Sequence, residues 1–143
     1  MEDVERIAEF QQQGFCCSQI LILVGLEYLG KDNADLVRAA HGLCHGLGSG
    51  ELCGTLTAAA CVLGLYTGRG GLEELGDTRR VLMLQELVDW FRDEYGQRYG
   101  GIGCDQILAG SPDSQQLRCP GIIVETWEKA KELLIANGYD LAG

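Results

Sequence analysis

The chain has no C-x-x-C pair, although cysteine accounts for seven of its 143 residues. Zinc fingers and thioredoxin-type redox sites are built on such pairs, and covalent c-type haem requires C-x-x-C-H, so the sequence argues against all three classes. A Walker loop, a G-x-S-x-G nucleophile turn and an H-E-x-x-H zinc motif are also missing. Any site that uses four thiols must therefore be assembled from distant segments.

Basic residues are scarce: 11 Lys and Arg stand against 21 Asp and Glu, which gives a formal net charge of −10. Because phosphate binding needs local positive charge, neither nucleic acid nor an anionic membrane is an expected partner. No apolar run approaches the roughly 20 residues of a membrane span. The opening MEDVERIAEF lacks the basic and apolar regions of a signal peptide. We therefore expect a cytoplasmic protein.

The cysteine count is odd, so the seven thiols cannot all pair within one chain. Structural disulfides are also rare in a reducing compartment. Metal, cluster or thiol chemistry is therefore the leading question for this sequence.

The hydrophobic pattern predicts an all-α fold: a single helical domain over residues 1–143 with about five to six helices joined by glycine-rich loops. Two segments are predicted to be loops, GLCHGLGSG before Glu51 and the polar stretch SPDSQQLR. In the first half of the chain, the expected helices run up to Gly14, from Cys17 to Gly30, from a cap at Asp32 or Asn33, and over residues 54–66. A long helix is expected from Leu72 or Asp77 to Tyr95, where Gly96 ends it, and a short helix is expected from Cys104. The last helix should begin at Cys119, with Pro120 near its first position and Gly138 as C-cap. The long helix should bury one face, which carries Val81, Leu84, Leu87, Val88 and Phe91.

On this map, four cysteines begin helices: Cys17, Cys53, Cys104 and Cys119. A helix start offers free backbone N–H groups and about half a positive charge, which stabilise a thiolate and lower the cysteine pKa. These four thiols are therefore expected to share one site. Cys61, inside AAACVLG, is expected to be a core residue apart from it.

The remaining thiols and both histidines have weaker signals. Cys16 is expected to face away from the site, since neighbouring residues on a helix point in different directions. The sequence HGLCH would, if helical, bring His41, Cys44 and His45 to one face at a metal-ligand spacing, although its glycines weaken a helix. We expect Cys44 and His45 to line the site and to be possible extra ligands.

The stretches GFCCSQILIL, GLGSGELCGTLTAAACVLGL, EYGQRYGGIGCDQILAG and RCPGIIVETWEKAKELL together resemble the redox-active proteins named for their C-GCAxxG-C-C cysteine pattern. The resemblance covers nearly the whole chain and implies that the family's four cysteines are Cys17, Cys53, Cys104 and Cys119. The chain departs from the pattern at Thr55 and Ala58, where Ala and Gly are usual, and at Cys44 and His45, where the family tends to have glycine. The family also looks related to the helical part of split-Soret cytochromes, which are dimers with an iron–sulfur cluster, and this implies a cluster here.

The preferred hypothesis is an electron-transfer or redox-sensing protein whose four cysteines ligate an iron–sulfur cluster of the [2Fe–2S] type. Two alternatives stay open: a thiol–disulfide protein that uses a subset of these cysteines, and a structural zinc site of four thiolates. The redox partner protein is not identified by the sequence. The likeness to a dimeric cytochrome, and two helices that are apolar nearly all round, predict a homodimer.

Overall fold

The computed structural model describes residues 2–109 and 113–141, apart from the side chains of residues 113–117. The all-α prediction is confirmed, because the regular elements of the described residues are helices. They are α1 (Asp3–Gln12), α2 (Cys17–Leu29), α3 (Ala34–Ala40), α4 (Gly54–Thr67), α5 (Arg80–Phe91), α6 (Gln97–Tyr99), α7 (Cys104–Leu108) and α8 (Asp113–Ala136). A short 3-10 turn (His41–Leu43) and two wide turns of π type (Gly46–Gly50 and Arg92–Gly96) connect some of them.

Helices α2 and α4 form the centre of the fold. α2 packs against α1, α3, α4 and α8, and α4 also packs against α5 and α8. The two central helices approach closely at Gly25, where a Cβ atom would lie 3.2 Å from the Val62 side chain. Leu21, Ile22 and Leu63 are fully buried, and each such side chain stabilises the fold by roughly 1.5–3 kcal/mol. The apolar surfaces that predicted a homodimer are thus largely covered within the chain, and the homodimer stays a prediction.

The predicted caps hold two of the helix ends in place. The Asn33 side chain accepts a hydrogen bond from the Leu36 N–H at 3.0 Å and caps α3. Gly30 ends α2 at a φ of 68°, and the Lys31 N–H reaches back to the Leu26 carbonyl at 3.0 Å. This Schellman arrangement requires a left-handed residue, which is why glycine occupies the position. Gly138 plays the same part after α8, with a φ of 90°.

The long helix differs from its prediction at both ends. α5 begins at Arg80, later than Leu72 or Asp77, because Asp77 forms a turn in which its carboxylate accepts from the Arg79 N–H at 2.8 Å. The helical path also passes through Gly96 and continues to Tyr99. Met83, Leu87 and Phe91 line the buried face, whereas Val81 is exposed.

The last helix begins earlier than predicted. Residues 111–112 of the predicted SPDSQQLR loop lie outside the described residues, but from Asp113 onwards the segment belongs to α8, so Pro120 is inside the helix and Cys119 does not begin it. Proline cannot donate the backbone hydrogen bond that an interior position requires. Tertiary contacts hold this end nevertheless, since the Arg118 side chain donates to the Ile107 carbonyl and lies 4.8 Å from the Tyr99 ring centroid.

Asp3 ties the first helix to the core. Its carboxylate accepts hydrogen bonds from the Tyr28 hydroxyl at 2.7 Å, from the Trp127 indole N–H at 3.0 Å and from Lys131. Burial opposes the charged form, but these hydrogen bonds lower the pKa of Asp3. Through this one carboxylate, α1 is attached to α2 and α8. Among the described residues, no helix has the length and hydropathy needed to cross a membrane.

Candidate cysteine site

A series of tight turns connects α3 to α4 and positions two candidate residues. The 3-10 turn that begins at His41 ends when Cys44 takes an extended conformation, with φ −64° and ψ 141°. His45 follows in the left-handed region at a φ of 57°, which L-residues rarely adopt, although histidine does so more often than most. HGLCH is therefore not one helix, and the condition under which its three candidate ligands would share a face is not met. The ligand atoms of His41 and Cys44 lie within 4.8 Å of the Cys16 sulfur, whereas His45 lies beside Cys104.

A short backbone bridge brings Cys53 and Cys104 together. Leu52 and Gly103 form an isolated antiparallel bridge. On either side of it, the Cys53 N–H donates to the Ile102 carbonyl at 3.0 Å and the Cys104 N–H donates to the Glu51 carbonyl at 2.6 Å. The residues directly before α4 and α7 are thus fixed against each other.

Cys17 reaches the same place from α2. Its Sγ atom lies 3.2 Å from the position of a Cβ atom on Gly54, the first residue of α4. That Cβ would also lie 2.7 Å from the Leu43 carbonyl oxygen, a distance that real Cβ atoms do not tolerate. Glycine after Cys53 therefore lets the Cys17 sulfur and the backbone of Leu43 approach the start of α4.

Cys119 comes to this region from inside α8. An open pocket of about 520 Å³ between α1, α2 and α8 is lined by Cys16, Cys17 and Cys119, among others. The Arg118 contact with α7 fixes this part of α8 beside the helix that Cys104 begins. The pocket gives these thiols an opening to solvent.

Three of the four thiols have raised pKa values. Burial is the main cause for Cys53, Cys104 and Cys119, and it raises the pKa of Cys104 to about 11 and that of Cys119 to about 12. Charge on neighbouring thiols adds to the effect: Cys17 and Cys53 act on Cys104, and all three act on Cys119. The expectation that helix starts lower the pKa of all four is therefore wrong. The raised pKa values of these thiols thus follow from burial first and from the charge of neighbouring thiols second.

Cys16, Cys17 and Cys44 form a second group of interacting thiols. The hydrogen bond with Cys44 lowers the pKa of Cys16 to about 5 and also lowers the pKa of Cys17. The same contacts raise the pKa of Cys44, so this thiol retains its proton. Cys16 was expected to face away, but it is the extended N-cap of α2, with a ψ of 171°, rather than a helical residue. The adjacent pair Cys16 and Cys17 can therefore direct both sulfurs toward Cys44.

Thr55 is a site residue that sequence reasoning missed. Its hydroxyl is a hydrogen-bond partner of the Cys17 and Cys53 thiols, and its side chain is buried. The Cys53 sulfur also accepts backbone hydrogen bonds from Thr55 and Leu56 at the start of α4. The departure from the usual alanine at position 55 is the sequence signal that points to this contact.

His45 lies beside the Cys104 thiol. Its Nδ1 atom lies 3.4 Å from the Cys104 sulfur, and its Nε2 atom lies 4.0 Å from the Asp105 carboxylate. The imidazole therefore lies beside one of the four predicted site cysteines, as expected for a residue that lines the site. A direct role of His45 as a ligand stays a prediction.

One compact group of potential metal ligands is present. Within the part of the chain that the structure describes, Cys16, His41 and Cys44 form the one group of three or more such side chains whose ligand atoms all lie within 4.8 Å of one another. Cys61 takes no part in either group of thiols. It is exposed on α4 rather than buried as predicted, because the helix turns its Thr57, Ala60 and Cys61 side outward.

The fold and the site define a cysteine-rich helical protein without a C-x-x-C motif. Its cysteines come from four separate segments around one region. Comparison with known families matches residues 15–133 to the family described as "Putative redox-active protein (C_GCAxxG_C_C)". The chain belongs to this redox-active family. No curated protein and no solved structure matches the chain significantly, so the relation to split-Soret cytochromes stays a prediction.

Proposed function

We propose that this protein holds a [2Fe–2S] cluster on Cys17, Cys53, Cys104 and Cys119 and uses it for electron transfer or redox sensing. The observation that supports the proposal is the placement of these four residues around one region: the Leu52–Gly103 bridge joins the segments of Cys53 and Cys104, and Cys17 lies beside Gly54 and shares a pocket with Cys119. Four thiolates are the ligand set of such clusters. Membership of a redox-active family agrees with this function.

The surroundings of the thiols suit a cluster in two ways. Gly54 leaves space beside the Cys17 sulfur that a side chain would fill. The raised pKa values of Cys53, Cys104 and Cys119 mean that the thiolate forms are disfavoured in the metal-free protein, and a metal cation at the site would favour them. Loading of iron at neutral pH should therefore release protons.

The cluster, when bound, supplies one-electron redox chemistry, and the chain's own residues set the conditions for it. Hydrogen bonds from the backbone of Thr55 and Leu56 to Cys53 stabilise negative charge on that sulfur. The Nδ1–H of His45 can do the same at Cys104. Such bonds stabilise the reduced, more negative state and raise the reduction potential.

The test compares two cysteine variants in the same helix region. Anaerobically purified protein should be brown, with visible absorption and equal amounts of iron and acid-labile sulfide. Cys53→Ser should abolish the colour and keep most of the helical circular dichroism signal, since the core has many other sources of stability. Cys61→Ser is the matched control, because Cys61 is exposed on α4 and should leave the cluster intact.

Two results would contradict the proposal. One is a colourless protein that contains zinc, which would support the four-thiolate zinc site, or that contains no metal. The other is loss of the cluster in Cys61→Ser with the fold retained, because this would show that the ligands are wrongly assigned.

Thiol–disulfide exchange is the second candidate function. The observation that favours it is the contact of Cys44 with both Cys16 and Cys17. Oxidation of two of these thiols would form one S–S bond and pass two electrons and two protons to an external acceptor. A metal-free protein in which two thiols become reversibly resistant to alkylation would support this function over the cluster.

A further inference from the structure

A group of metal-binding side chains lies outside the four family cysteines. The Sγ atoms of Cys16 and Cys44 and one ring nitrogen of His41 all lie within 4.8 Å of one another. A 3-10 helix has three residues per turn, so the turn that begins at His41 brings His41 and Cys44 to the same side. Cys16 meets them from the N-terminus of α2.

Two buried polar side chains hold this arrangement. Ser18 is fully buried, lies 3.3 Å from the Cys16 sulfur and donates to the Ala40 carbonyl at 2.8 Å, directly before His41. Gln19 accepts from the Cys16 N–H at 3.3 Å and donates to the Val37 carbonyl at 3.3 Å. The N-terminus of α2 is thereby tied to the end of α3, and the three ligand residues are positioned before any metal binds.

The donor set is selective. Two thiolates and one imidazole suit Zn²⁺, which takes sulfur at about 2.3 Å and nitrogen at about 2.0 Å in a tetrahedron. These bond lengths place the donor atoms roughly 3.5–3.8 Å apart, so small side-chain rotations within the observed 4.8 Å are sufficient. His41 is exposed and the other two residues are partly so, which leaves the fourth coordination position open to solvent.

We propose that Cys16, His41 and Cys44 form a second metal site, which binds one Zn²⁺ ion with three protein ligands and an open fourth position. The site is separate from the four family cysteines and does not depend on the cluster. Cys44 also contacts Cys17, so the two sites are neighbours. His45 is excluded from the zinc site, because it lies against Cys104.

The experiment measures Zn²⁺ affinity in the full chain under reducing, anaerobic conditions, with a chromophoric chelator as competitor. It uses the Cys53→Ser background, in which the cluster site lacks a ligand. One Zn²⁺ should bind per chain, and His41→Ala should weaken this binding about tenfold or more. Because His41 is exposed, its loss should leave the circular dichroism spectrum unchanged. Cys61→Ala is the control, because Cys61 is exposed on α4 and takes no part in either group of thiols, so it should keep the affinity of the background.

Co²⁺ gives an independent measurement. Its sulfur-to-metal charge-transfer absorption should fall by about half in Cys44→Ser, since one of two thiolate ligands is lost. Equal Zn²⁺ affinity in the His41→Ala and Cys61→Ala variants would overturn the proposal, and so would a Cys16–Cys44 disulfide that persists under these conditions. Iron content in the unmutated protein reports separately on the cluster, so failure of one proposal does not imply failure of the other.

Discussion

Gly54→Ala should destabilise the protein and disturb the cysteine site. The added Cβ would lie 2.7 Å from the Leu43 carbonyl oxygen and 3.2 Å from the Cys17 sulfur, and Gly54 is buried. A backbone carbonyl cannot rotate away as a flexible side chain can, so the turn before α4 must shift. Overpacking of this kind costs about 1–3 kcal/mol. The helix-favouring effect of alanine returns less than about 1 kcal/mol at this first helical position.

Gly64→Ala is a matched control in the same helix. A Cβ at Gly64 meets no atom within 4 Å, so the substitution should stabilise the protein by about 0.5–1 kcal/mol. The net effect at Gly54 should be a loss of about 1–2 kcal/mol. For a chain of this size, the two melting temperatures should differ by roughly 5–12 °C, with Gly54→Ala the lower.

The assay is thermal and urea unfolding of the metal-free, reduced proteins, followed by far-ultraviolet circular dichroism. Metal-free conditions are needed so that cofactor binding does not add to the measured stability. Equal stability of the two variants, or a more stable Gly54→Ala, would refute the close approach of Leu43 and Cys17 to α4. Iron content after reconstitution should also fall in Gly54→Ala and be retained in Gly64→Ala.

Three further predictions concern the charge network, the site and the assembly. Asp3→Asn should lower the free energy of unfolding at pH 7 by about 1–3 kcal/mol. Because the folded-state pKa of Asp3 is lowered, the stabilisation by its carboxylate is present above about pH 4 and is lost as the pH falls through that lowered pKa. Urea titrations at several pH values should therefore show this acid-dependent loss in the unmutated protein and not in the variant. His45→Ala should lower the cluster's midpoint potential by about 40 mV if the hydrogen bond to Cys104 contributes ~1 kcal/mol, and an unchanged potential and metal content would remove His45 from the site. Sedimentation of the cluster-loaded protein at micromolar concentration should show a homodimer, and a monomer there would contradict that prediction.

The helices that the sequence predicts well are those whose boundaries depend on local chemistry. Gly30 and Asn33 end and begin helices through hydrogen bonds to residues three to five positions away, and such signals are readable without tertiary knowledge. The start of α8 does not depend on such local signals. Its polar first turns and Pro120 favour a later start, but Arg118 holds the segment through contacts with Ile107 and Tyr99 that no local pattern shows.

The candidate site divides in the same way. The four family cysteines are identifiable because glycines and helix starts surround most of them. The part played by Cys16 depends on a single extended residue at the N-cap of α2, whereas the pattern predicts only helix there. Cys61 was predicted to be a core residue but is exposed. An unbroken apolar stretch in the sequence does not reveal which side of α4 remains uncovered.

The bridge between Leu52 and Gly103 also bears on how the protein is assembled. It joins two backbone segments that are far apart in sequence, and it holds Cys53 and Cys104 beside each other. Cys119 must then be added from α8, while Cys17 comes from α2. No two of the four cysteines of the proposed cluster lie at the short spacing of a C-x-x-C motif. The proposed cluster should therefore be inserted after folding, through the opening beside Cys17 and Cys119.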